Sequence, residues 1–236
     1  MIKIEKTEVY GWEAAIRGMR NPMNSWDKSD SDMHYDKDCD GGCCGSVLLG
    51  DNDLKLMKSL TNAGDDHGKV ARYLDVFVDI TAPFYWWKEF RTYRKGRKFM
   101  DDGDELLDPD EFEMHIETNS CSTMHKIHAK EFTLDDFSWE KCDGRIQLIY
   151  AFEGIIKVLN KLRESYLKTK DKDTWYQMIQ LLPSSYNQKR TVKLNYQVLK
   201  NMYHARKNHK LDEWHVFCDW IRSLPYSEII TGEVTQ

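Results

Sequence analysis

Asn195, Asn201 and Arg206 are polar positions in a stretch otherwise rich in apolar residues. Read at about 3.6 residues per turn, a helix over residues 192–206 gathers all three on one broad face, with Val198, Leu199 and Met202 beside them for packing. A guanidinium at the end of such a helix gains from the helix dipole and can donate to a carbonyl oxygen on which negative charge develops. The plainer alternative is an Arg that merely caps its helix.

Other groups invite a chemical reading. The run 84–90 (FYWWKEF) offers rings for stacking, although an aromatic stripe more often builds a core. Lys88 and Glu89 within it need partners or a ligand if that helix is buried. Asn119-Ser120-Cys121-Ser122 is small and polar, suited either to wrap a phosphate or to make a plain turn. His34 with Cys39, Cys43 and Cys44 lacks the two well-spaced pairs of a structural zinc site, so incidental thiols in a loop are the preferred reading. His209 and His215 do not share a helical face and HExxH is absent, so His204, His209 and His215 read as polar packing and no metal is expected. No G-x-G-x-x-G or Walker loop is present, and no Ser/His/Asp or Cys/His arrangement stands out by spacing.

Elements must position these residues. Of 236 residues, 41% are hydrophobic, 12% aromatic and 31% charged, which supports one globular domain over 1–236 with a real core. A formal net charge of -5 argues against a non-specific nucleic-acid binder. No apolar run reaches the roughly 18–20 residues of a membrane helix, and the charged, alternating start is no signal peptide. A soluble cytoplasmic protein with free thiols is therefore expected. Residues 2–10 alternate as a strand, and 12–19 form a short helix. A loop spans about 21–50, and a helix over 52–63 stops at Gly64. The segment 73–81 alternates as a strand, and Pro83 precedes a helix over 84–93. The acidic stretch 95–118 reads as a mobile surface insertion that could act as a lid. Helices over 145–169, 174–182, 192–206 and 211–224 follow. Helices gathered after an earlier strand region indicate α+β, not alternating βαβ units.

Leu182-Pro183, followed by Asn195, Asn201 and Arg206, resembles without a gap the C-terminal signature of the flavin-dependent thymidylate synthases. That signature is a Leu-Pro, two Asn and an Arg that closes a helix. His67, the strand at 76–81 and Ala82-Pro83 resemble the family's His before a strand ending in Ala-Pro. In the aromatic helix that follows, the family has a Gln and then Arg-His-Arg. This chain has Glu89 and then Thr92-Tyr93-Arg94, with Arg91 able to substitute for the first Arg. Residues 119–125 resemble the family's Asn-Glu-x-Ser-x-Arg-Tyr. Asn119 and Ser122 match, while Ser120, Met124 and His125 replace the Glu, Arg and Tyr. Residues 14–20 look like the family's first helix.

The resemblance implies an α+β, flavin-dependent thymidylate synthase-like fold with antiparallel strands and a long-helix bundle. It implies a homotetramer whose sites are shared between subunits. It implies reductive methylation of dUMP or a related pyrimidine nucleotide, with FAD as cofactor, NADPH and methylenetetrahydrofolate as co-substrates, and no cysteine nucleophile. By carry-over, Arg206 is the catalytic residue, binding and polarising the pyrimidine. His67, Tyr93, Arg94, Asn119, Asn195 and Asn201 are carried over as cofactor-binding. Lys88, Glu89, Arg91 and Ser122 join Arg206 in binding substrate. Met124 cannot clamp a phosphate as an Arg would, and Ile179 and Gln180 stand where the family has another phosphate Arg. Gln197 replaces a further basic residue near the flavin. Each lost charge-assisted contact costs roughly 1.5–3 kcal/mol. Lys88, Arg91, Arg94 and Lys126 are the candidates to compensate. The same losses keep open a nucleotide- or flavin-binding protein without methylation. The retained Asn195, Asn201 and Arg206 argue against a module with no ligand.

Overall fold

The computed structural model describes residues 1–35, 45–64, 66–94, 116–142 and 144–233. Strand β1 (Lys3–Tyr10) leads into helix α1 (Trp12–Arg20), and the short strands β2 (Asp32–Tyr35) and β3 (Gly45–Leu48) pair as a separate antiparallel ribbon. Helix α2 (Asp51–Asn62) precedes strand β4 (Asp75–Pro83), which runs directly into the aromatic helix α3 (Phe84–Phe90). Strand β5 (Glu117–Ser120) and the single turn α4 (Thr123–Lys126) are followed by the long α5 (Ile146–Thr169) and by α6 (Lys172–Leu181). Strand β6 (Asn187–Asn195) then leads to helices α7 (Tyr196–Arg206), α8 (Asp212–Arg222) and α9 (Glu228–Thr231).

The main sheet has the order β1-β4-β6-β5, and every neighbouring pair is antiparallel. In β4 the residues Val76, Val78, Ile80 and Ala82 alternate onto one buried face, as a pleated strand requires. Directly opposite them in β6 lie Leu194, Val192, Arg190 and Gln188. Trp86, Trp87 and Phe90 of α3 pack into the same core as Leu199 and Met202 of α7 and Trp214 and Phe217 of α8. The aromatic run 84–90 is thus chiefly core, with Glu89 and Lys88 on its outer side. A second, smaller core closes Ile127, Phe132 and Phe137 onto Leu159 of α5 and Met178 of α6. The expected α+β architecture with antiparallel strands is the one observed.

Several boundaries differ from the sequence periodicity. Residues 192–206 are not one helix: β6 continues to Asn195, and α7 begins at Tyr196. The inner face of β6 is half polar, with Gln188 and Arg190 both buried, and this blurs the alternation that marks a strand. The segment 21–50 is more than a loop. It holds 3₁₀ turns at Asn21–Met23 and Trp26–Lys28 as well as the β2–β3 ribbon.

Asp53, buried in α2, organises that segment. Its carboxylate accepts from Arg20 Nε at 2.7 Å and from the Ser29 and Ser31 hydroxyls at 2.7 Å each. It also accepts from the backbone N–H groups of Asp30 and Ser31 at 3.2 Å. The acidic insertion ends earlier than composition indicates, because Ile116 is buried and Glu117–Ser120 pairs with β6. Residues 95–115 lie outside the described residues, as do Cys39, Cys43 and Cys44. The helix read over 84–93 becomes 3₁₀ from Arg91 onward. Cys121, Cys142 and Cys218 are free thiols. Among the described residues no helix is long and apolar enough to cross a membrane.

Candidate functional site

Helix α7 starts where it does because Asn195, in an extended conformation, caps it. The Asn195 side chain accepts from the backbone N–H of Val198 at 3.0 Å. The helix then runs 11 residues to Arg206, whose guanidinium sits at the negative end of the helix dipole. Arg206 Nε donates to the hydroxyl of Tyr93 at 2.6 Å, and Nη1 lies 3.3 Å from Oε2 of Glu89. The guanidinium carbon stands 4.8 Å from the centre of the Trp214 ring and 5.2 Å from that of Tyr93. Strand β4 and the buried face of α3 fix Glu89 and Tyr93, while the buried face of α8 fixes Trp214.

Glu89 is the hub of this cluster. Its Oε2 also accepts from Trp214 Nε1 at 3.0 Å and lies 3.4 Å from His209 Nε2. The backbone N–H of Leu211 donates to His209 Nδ1 at 3.1 Å, which places the neutral ring's proton on Nε2, facing Glu89. Burial pushes the Tyr93 phenol above its usual range, against the opposing pull of Arg206. The phenol is therefore a neutral hydroxyl and the Glu89–Arg206 pair supplies the charges of the site. Beside it, the buried Glu213 accepts from the Tyr85 hydroxyl.

A second group forms where the 3₁₀ turn Gly68–Arg72 meets α7. His67 precedes that turn and is exposed. A Cβ on Gly68 would stand 3.5 Å from Oε1 of the buried Gln197, so the His67–Gly68 corner lies against α7. Gln197 Nε2 donates to Oδ1 of the exposed Asn201 at 3.4 Å. Asn201 and Arg206 are separated by about 140° around the helix, and Asn195 precedes it. The single polar face expected over 192–206 is thus two separate groups: an amide group at the start of α7 and a guanidinium at its end.

The remaining predicted residues are dispersed. Lys88 and Arg91 are exposed on α3 and the 3₁₀ turn after it, and Arg94 closes that turn. Asn119 is exposed on β5 opposite Thr191. Ser122 caps α4, accepting from the N–H of His125 at 3.0 Å, with His125 Nδ1 2.9 Å from the same oxygen. Met124 is 47% exposed, with no charge to offer an anion.

Sequence reasoning did not single out Gln188 and Arg190. Gln188 Nε2 donates to the carbonyl of Cys121 at 2.7 Å, and Arg190 Nε donates to Gln188 Oε1 at 3.0 Å with its guanidinium 4.3 Å from the Trp87 ring centre. This buried relay braces the Asn119–Ser122 segment. Nor did it single out Trp214, or His209 as a partner of Glu89; no local pattern links positions on α8 and the preceding loop to α3. A cleft of ≈ 560 Å³ beside α1, lined by Ile16, Arg17, Trp26 and Met33 among others, contains none of the predicted residues. Among the described residues no group of three or more His, Cys, Asp or Glu could hold a metal.

No family model matches the sequence, and no curated protein matches it. Solved structures do match over nearly the whole chain. A flavin-dependent thymidylate synthase from Helicobacter pylori, complexed with FAD and dUMP, is 15% identical with a TM-score of 0.64, covering 99% of this chain and 100% of that one. A second structure of such an enzyme from Helicobacter pylori, with FAD and dUMP, is 14% identical with a TM-score of 0.63, covering 98% of each chain. A UMP/dUMP methylase from Streptomyces cacaoi, bound with 5-Br dUMP, is 12% identical with a TM-score of 0.57, covering 98% of this chain and 94% of that one. The chain has the fold of the flavin-dependent thymidylate synthases, a nucleotide-methylase fold. At these identities the likeness is one of fold.

Proposed function

We propose that this chain is a divergent flavin-dependent nucleotide methylase of the cytoplasm. It binds dUMP or a related pyrimidine nucleotide at Arg206, with FAD as cofactor and NADPH and methylenetetrahydrofolate as co-substrates. The observation that carries the reading is the Arg206 guanidinium itself. It is 18% exposed and aimed by Tyr93 and Glu89, yet among the described residues nothing accepts from its Nη2. A fixed, partly buried donor stabilises charge on a pyrimidine carbonyl oxygen more strongly than water does, because it need not reorient as the charge develops. Glu89 balances the resting charge of Arg206 and keeps it in place.

The residues at the start of α7 fit the polar rim of a flavin ring. Asn195 spends its carbonyl oxygen on the cap, and among the described residues its amide nitrogen has no partner. Asn201, which accepts from Gln197, and His67, which precedes the turn against Gln197, are exposed, with Tyr93, Arg94 and Asn119 the further flavin contacts carried by the resemblance. FAD, when bound, supplies the hydride chemistry; the side chains hold and orient it. Lys88, Arg91 and Ser122 are assigned to the nucleotide, the two cations to its phosphate.

A homotetramer belongs to this reading. Leu148, Ala151 and Val158 are exposed on α5, whereas Ile155 and Leu162, which continue the same helical spacing, pack partly against the second core. Leu148 is 42% exposed and Val158 46%, and of the 24 residues of α5 only Leu159 is buried. Sites shared between subunits would also account for residues that are open to solvent in one chain.

The test is direct. The purified chain should be yellow, release FAD on denaturation, and form thymidylate from dUMP, NADPH and methylenetetrahydrofolate. Absence of both flavin binding and nucleotide binding would refute the proposal. The exposed Met124, in place of a phosphate Arg, favours a second reading, a binding protein without turnover. That reading requires flavin and nucleotide to bind while NADPH is not consumed.

A further inference from the structure

Glu89 and Arg206 are joined through one oxygen and one nitrogen only. The ion pair runs from Arg206 Nη1 to Glu89 Oε2, and Oε2 also serves Trp214 and His209. Among the described residues nothing donates to Glu89 Oε1, and nothing accepts from Arg206 Nη2. The pair therefore offers an acceptor and a donor, held together by the same contact. The Glu89 side chain is 37% exposed and that of Arg206 18%, so both open atoms can meet a ligand.

The Glu89 carboxylate, paired with Arg206 and receiving the Trp214 N–H, offers Oε1 as an acceptor. Arg206 can only donate. The complement is a planar ring edge carrying an N–H donor and a neighbouring acceptor. Resting on the nucleotide-binding reading above, we propose that Glu89 and Arg206 jointly read the edge of the pyrimidine base, Glu89 Oε1 accepting from a base N–H while Arg206 Nη2 donates to the adjacent acceptor. Two bases offer this edge. A uracil presents N3–H beside a carbonyl oxygen, and a cytosine presents its N4 amino group beside N3. Glu89 makes the site selective for bases with a free donor. Tyr93 holds Nε and so fixes the plane in which Nη2 points.

The experiment measures binding of dUMP, dCMP and 3-methyl-dUMP to the full chain in the presence of FAD, by calorimetry. The wild-type chain is expected to bind dUMP or dCMP at least about tenfold more tightly than 3-methyl-dUMP, whose N3 donor is blocked. In Glu89→Ala that preference over 3-methyl-dUMP should shrink to below about twofold, because the reading carboxylate is gone and space for a methyl group is opened. Glu89→Gln, nearly the same shape and able to donate as well as accept, should fall between the two. It also checks the conclusion should Glu89→Ala lose its fold by circular dichroism. Binding of 3-methyl-dUMP by the wild-type chain as tight as that of both dUMP and dCMP, or an unchanged preference in both variants, overturns the role of Glu89 while leaving nucleotide binding standing. Binding of none of the three nucleotides overturns the nucleotide reading and this inference with it.

Discussion

Arg206 Nε donates to the hydroxyl of Tyr93 across 2.6 Å, joining the end of α7 to the 3₁₀ turn after α3, 113 positions earlier in the chain. The contact decides where the guanidinium points. Tyr93→Phe removes the acceptor and leaves a half-buried N–H unsatisfied. The variant should lose about 1–3 kcal/mol of stability. Denaturant unfolding followed by fluorescence would measure it, and an unchanged midpoint would mean that the bond contributes nothing.

Arg206→Lys should separate recognition from folding. Lysine keeps the charge at the helix end and loses the bond to Tyr93, so stability should fall by no more than it does in Tyr93→Phe. It lacks the planar fork, so pyrimidine nucleotide affinity should fall at least about tenfold, or roughly 1.4 kcal/mol. Unchanged calorimetric binding of every pyrimidine nucleotide tested would show that Arg206 is only a cap.

Asn195 has two tasks that substitutions can divide. Its oxygen caps α7, and Asn195→Ala should cost about 1 kcal/mol of stability. Asn195→Asp keeps an acceptor for the Val198 N–H and should restore that stability. The same change removes the amide donors, so FAD affinity should still fall in fluorescence titration. Full recovery of flavin binding in Asn195→Asp would assign Asn195 to capping alone.

The buried Asp53 sets an acid limit on the fold. Burial favours the neutral acid, but the hydrogen bonds from Ser29, Ser31 and Arg20 together outweigh it and hold the carboxyl below its usual range. A depressed folded pKa contributes stability above the unfolded value of 3.8, and that stability is lost as pH falls through the folded value. Asp53→Asn should flatten this acid limb. It should also cost roughly 3–5 kcal/mol at neutral pH, because Arg20 loses its buried counter-charge. Chemical denaturation from pH 3 to 7 checks both, and parallel curves for the two proteins would remove Asp53 from the account.

Assembly should depend on the exposed apolar residues of α5, Leu148 and Val158. Leu148→Lys with Val158→Lys alters two side chains already open in the single chain, so each should change stability of the isolated fold by no more than about 0.5 kcal/mol. Light scattering should show the wild type at four chains and the variant at one. A wild-type chain that stays monomeric with FAD added would count against the tetramer.

The sequence by itself determined much of the scaffold. The alternation in Asp75–Pro83 could only bury one face, and that face is the sheet's inner side. The aromatic spacing of Trp86, Trp87 and Phe90 likewise committed α3 to the core. These are local periodicities, and burial of a continuous apolar face follows from them directly. Glu89 and Arg206 were legible as polar exceptions to such patterns and Tyr93 only through the family resemblance, but not the contacts among them. The polar inner face of β6 hid a strand, because Gln188 and Arg190 are buried through partners that no periodicity announces. Where Asn195 ends that strand and caps α7, the chain turns, and the polar face expected on one helix divides into two groups. Only the tertiary structure decided that Glu89 would gather Arg206, His209 and Trp214. Electrostatic and hydrogen-bonding partners are chosen by distance in space. Residues as far apart as positions 89 and 214 come within reach only after the sheet and the aromatic core have brought α3, α7 and α8 together.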